Sequence, residues 1–69
     1  MNPEVGKTYM VRHTRKGLFI MRVDTVNETW ASGLLVSGKT DAMMEYNIFH
    51  AGELITIRIE HATFTELKQ

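Results

Sequence analysis

Three histidines, His13, His50 and His61, are the only imidazoles in this 69-residue chain, and none has the HxH or HxxxH spacing that aims two ring nitrogens at one metal. There is no cysteine to add a thiolate, so a metal site would require the fold to carry distant histidines onto a carboxylate. No metal or other cofactor is expected. The Gly-Lys-Thr steps at residues 6–8 and 38–40 lack the leading glycine and the strand-loop-helix setting of a phosphate loop. A Gly-x-Ser-x-Gly nucleophile elbow is absent. Glu53 and Glu60 can pair with Arg58, and surface ion pairs of that kind contribute little. These absences point to a protein that binds and is not an enzyme.

Two binding chemistries are written in the residues. Eight basic and eight acidic side chains balance overall, yet residues 1–25 carry a net +3 and residues 26–69 a net −3. Arg12, Arg15, Lys16 and Arg22, with His13 beside them, fall on or near the tip of an expected first hairpin, where they would meet a phosphate chain. Trp30 or Tyr9 would then stack on bases. The same cations also serve a plain solvated hairpin that guards a sheet edge. The aromatic supply is only Tyr9, Phe19, Trp30, Tyr46, Phe49 and Phe64. A small core claims Phe19 and Phe64, while Trp30 and Tyr46 stay open between core and surface.

The second chemistry is an apolar surplus. If Phe19, Met21, Val23, Leu35, Ile55, Ile57 and Ile59 fill the interior, then Leu18, Ile20, Leu34, Val36, Met43 and Met44 are left partly outside. Exposed apolar area of this kind marks contact with another protein or with a second copy, and methionine adapts to irregular partners. The expected interface is Leu18, Ile20, Leu34 and Met44. The alternative is that residues 40–49 fold over these side chains.

The elements that must position these groups follow from turn signals at even spacing, the rhythm of an all-β chain. Residues 8–14 alternate Tyr9, Val11 and His13 against Met10 and Arg12. Gly17 supplies a tight turn, and residues 18–26 follow with Phe19, Met21 and Val23 inward. Residues 30–37 form a third strand in which Gly33 marks a bulge or a close backbone approach. Residues 40–46 have helix propensity but sit among strands, and are read as extended; residues 47–53 read as a turn or a single helical turn. In residues 54–60, Ile55, Ile57 and Ile59 alternate strictly with Thr56, Arg58 and Glu60. Residues 63–67 close the series through Phe64.

Five or six short strands in one domain spanning residues 1–69 are too few for a sandwich and fit a small, SH3-like, partly open antiparallel barrel. A helix over residues 41–49 lying on the sheet is the second architecture. The stretch Val5-Gly6-Lys7-Thr8-Tyr9-Met10-Val11-Arg12-His13-Thr14-Arg15-Lys16-Gly17, with Gly52-Glu53-Leu54-Ile55-Thr56-Ile57-Arg58, resembles short uncharacterised proteins of bacteria, their phages and mobile elements. The resemblance implies an accessory cytoplasmic protein with an SH3-like barrel and assigns no site residues. A cysteine-free chain suits a reducing cytoplasm. No apolar run approaches the ~20 residues of a membrane span, and the first five residues lack the opening of a signal peptide.

Overall fold

A computed structural model describes residues 2–39 and 52–68. Among them are five strands, β1 (Thr8–His13), β2 (Gly17–Val26), β3 (Trp30–Lys39), β4 (Leu54–Arg58) and β5 (Ala62–Glu66), all paired antiparallel in one sheet of order β4-β3-β2-β1-β5. The expected all-β class is the observed one. The sixth strand expected over residues 40–46, the alternative helix over 41–49 and most of the turn expected over 47–53 lie outside the described residues. No helix among the described residues is long and apolar enough to cross a membrane.

The sheet has to curl. β4 and β5 are its two outermost strands, yet only the 3₁₀ turn Ile59–His61 separates them in the chain. The four steps from Arg58 to Ala62 span at most about 14 Å, whereas four inter-strand spacings of a flat sheet come to about 19 Å. Bending the sheet into a partly open barrel removes the mismatch. Two irregularities between β2 and β3 assist the bend. Ile20 pairs with Ser37 and Met21 with Leu35, leaving Val36 unpaired; Val23 pairs with Gly33 and Thr25 with Ser32, leaving Asp24 unpaired. Each extra residue kinks its strand and increases the local twist. Gly33 lies at the second irregularity, where a Cβ would stand 1.8 Å from the Arg22 carbonyl oxygen.

Alternation decides what goes inside. Tyr9, Val11, Phe19, Met21, Val23, Ala31, Leu35, Ile55, Ile57 and Phe64 form one buried cluster drawn from all five strands, and removal of their apolar surface from water is the main force favouring the curl. Tyr9 meets Phe64 edge-on, with centroids 5.7 Å apart, and its hydroxyl accepts the Glu4 backbone N–H at 2.8 Å. The strand expected to reach Glu60 stops at Arg58, because the chain must turn there to cross to β5. Ile59 therefore leaves the inner row and only packs against the cluster from the 3₁₀ turn, its N–H donating to the Thr29 carbonyl at 2.9 Å.

Candidate functional site

Two surfaces collect the residues whose chemistry is not used up by the fold. The first is at the end of the barrel where the β1–β2 turn, the β2–β3 loop and the 3₁₀ turn meet. His13 is the last residue of β1 and is buried. Its Nδ1 accepts the backbone N–H groups of Arg15 at 3.0 Å and Lys16 at 3.1 Å, so the imidazole holds the turn that Gly17 completes with a φ of +82°. Two donors on Nδ1 leave the proton on Nε2. Burial, and then the charges of Lys16, His61 and Arg15, push the His13 pKa below its ordinary value. The His61 ring lies 6.3 Å away, close to edge-on.

Across this end stands Trp30. Asn27 fixes its backbone: the Asn27 side-chain oxygen accepts the backbone N–H groups of Thr29 at 2.8 Å and Trp30 at 2.7 Å, a local turn of the kind asparagine favours. The indole starts β3 pointing outward, 44% exposed, with the Arg58 guanidinium 5.7 Å from its ring centroid. That spacing is within the range of a cation–π contact. Arg58 is the register partner of Trp30 on β4, and its Nε also meets Glu60 Oε1 at 3.0 Å.

Between these groups lies an open cavity of about 480 Å³, lined by Arg15, Lys16, Trp30, Arg58, His13 and His61 among others. A second cavity of about 390 Å³ adjoins it, sharing His13, Thr14 and His61 and adding Arg12 and Glu60. The two make one trough. Of the nucleic-acid residues expected from sequence, Arg12, His13, Arg15, Lys16 and Trp30 all line it. Arg22 does not: it sits far along β2, opposite Thr8, and its Nε approaches Asp24 at 3.6 Å. Tyr9 cannot stack on a base, because it is wholly buried. Sequence reasoning missed Arg58 and His61 here, since only the curl of the sheet brings them to the first hairpin.

The second surface is the outer face of the sheet. Register places Met10 opposite Ile20, Arg12 opposite Leu18, and Arg22 opposite Leu34, which in turn faces Leu54. Leu18, Ile20 and Leu34, three of the four expected interface residues, thus share this face and are half-buried. Met44 lies outside the described residues. Met10, 38% exposed, Val36, 49% exposed, and Leu54, 77% exposed, extend the apolar strip. Met10 and Leu54 are additions that sequence reasoning left out, although their parity in β1 and β4 already sets them opposite the core residues. Arg12 stands beside Leu18 and Arg22 beside Leu34 on this face.

Protein-family models, curated proteins and solved structures were compared with the chain, and none matches.

Proposed function

We propose that this chain is a non-enzymatic binding module that docks another protein on the outer sheet face, through Met10, Leu18, Ile20, Leu34 and Leu54. The observation that carries the reading is the register itself, which sets these apolar side chains side by side on the face away from a core that is already complete without them. Leaving such a strip in water gains the fold nothing; covering it with a partner does. The arginines choose the partner's chemistry. A second copy on this face would bring its own Arg12 and Arg22 into an interface that already holds two arginines, a like-charge crowding that costs affinity. A segment offering large apolar side chains together with aspartate or glutamate satisfies both the strip and the arginines beside it. Such a module, working in a reducing cytoplasm, suits the accessory role that the resemblance to small phage and bacterial proteins implies.

Selection from a displayed peptide library tests this reading. The expected ligands combine large apolar residues with acidic ones, and Met10→Asp or Leu54→Asp weakens them by about tenfold or more, as loss of an interface anchor does. Sedimentation velocity on the same proteins reports self-association. Ligands that bind the variants as well as the wild type would remove the proposal, and a wild-type dimer dissolved by Leu54→Asp would replace the acidic partner with a second copy.

A further inference from the structure

The trough at the turn end of the barrel is lined by none of the five apolar residues of the proposed docking strip. We infer that it binds single-stranded nucleic acid, one base stacking at Trp30 beneath the Arg58 guanidinium and the flanking phosphates meeting Arg15, Lys16 and Arg58.

Three features of the site carry this. A half-exposed indole, on a residue whose backbone N–H donates to the Asn27 side chain, forms one wall of a cavity of about 480 Å³, a volume inside the range of about 300–1,000 Å³ typical of small-ligand clefts. Among the described residues, the charged ones lining that cavity are Arg15, Lys16 and Arg58, with no carboxylate. Glu60, which lines the neighbouring cavity, meets Arg58 through Nε at 3.0 Å and lies 3.7 Å from His61 Nε2. An isolated phosphate would have no use for the indole, and a neutral aromatic ligand none for the cations. A nucleotide unit offers a flat ring and an anion at one site. The ring must also be unstacked to reach Trp30, which favours a single strand over a duplex whose bases are already paired and stacked. His13 contributes by position: its two hydrogen bonds to the turn fix the backbone that presents Arg15 and Lys16.

The chain's single tryptophan makes the test direct, because all indole fluorescence comes from Trp30. The probes are oligo-dT, oligo-rU, a DNA duplex and inorganic polyphosphate, each titrated into the full chain at low and rising salt. Binding of a single strand should quench the indole emission, and affinity should fall with salt at a log-log slope of about −2, the value for three phosphates on a single strand. Whichever of oligo-dT and oligo-rU binds more tightly identifies DNA or RNA as the source. Trp30→Leu should weaken binding by about fivefold to 150-fold, measured by anisotropy of a labelled strand, with the thermal melt of the variant confirming its fold. Arg15→Ala combined with Arg58→Ala should flatten the salt slope, while Leu54→Asp should change nothing. That last arm separates this site from the sheet face. No binding of either single strand at low salt overturns the inference. So does polyphosphate binding as tightly as the strands without quenching, or a Trp30→Leu protein that binds as the wild type does.

Discussion

Leu34 and Leu35 are neighbours in β3 with opposite fates. Leu35 is buried to its last few square ångströms in the core, while Leu34 lies half-buried on the outer face between Arg22 and Leu54. The same contrast runs through the sheet. Among the described residues its inner face is apolar apart from the Tyr9 hydroxyl, which accepts the Glu4 N–H, and the His13 imidazole, which is engaged by the turn it holds. Its outer face mixes apolar side chains with arginines and threonines. Parity in the strand assigns a residue to one face or the other. Residue type alone therefore does not mark the core of this protein: parity decides which of two adjacent leucines the fold buries.

The largest break in that comparison comes at Gly33, where inner and outer faces are kept in register by two backbones in direct approach. A Cβ at this position would overlap the Arg22 carbonyl, and backbone cannot yield as a flexible side chain can. Gly33→Ala should force β2 and β3 apart, with a cost above about 3 kcal/mol, enough to unfold a small domain of modest stability. Far-ultraviolet circular dichroism and a thermal melt would report it. A cooperative melt near that of the wild type would show that the close approach relaxes without cost.

A smaller and more discriminating comparison sets Ile57 against Leu54, two residues of β4 on opposite faces. Ile57→Ala removes a fully buried side chain from the shared cluster and should cost about 2–5 kcal/mol. Leu54→Ala removes one that is largely in water and should shift stability by no more than about 0.5 kcal/mol. Urea unfolding measures both. Equal losses would mean that the outer strip is part of the core, and the binding role proposed for it would fail.

Much of this was legible in the residues. The period of two in Tyr9, Val11 and His13, in Phe19, Met21 and Val23, and in Ile55 and Ile57 assigns the inner face, since a half-buried sheet imposes that alternation directly. Gly33 was legible too, because a lone glycine inside a strand pattern marks a bulge or close approach. What escaped depends on long-range geometry. Ile59 continues the alternation faultlessly, yet the demand that β4 reach β5 across a curled sheet ends the strand at Arg58, two residues before the expected Glu60. The partnership of Arg58 and His61 with the first hairpin arises only from that closure. The role of His13 hides for another reason: its spacing reads as an ordinary inner-face residue, and the hydrogen bonds that define it are made by its ring to the next residues' backbone.

His13 also supplies the finest of the contrasts, as the buried residue that, among the described ones, can take up a proton near neutral pH. Burial and the nearby Lys16, His61 and Arg15 charges lower its pKa in the folded chain, so the native state keeps it neutral where the unfolded chain, titrating near about 6.5, already binds a proton. As pH falls through that value the unfolded state takes up more protons than the folded one, and stability declines; the decline ends once the pH is below the depressed native value. Replacing the ring with His13→Phe keeps an apolar group of similar size, removes the acceptor for the Arg15 and Lys16 N–H groups, and should cost about 1 kcal/mol at neutral pH, with water taking over part of the lost bonding. The variant should also lose the part of the acid-side decline that belongs to this residue, so the two proteins' stabilities converge between about pH 7 and about pH 5. Urea midpoints across that interval decide it. A stability gap that stays constant, or widens toward acid, would mean that His13 is protonated in the native turn and that the inner face tolerates a charge after all.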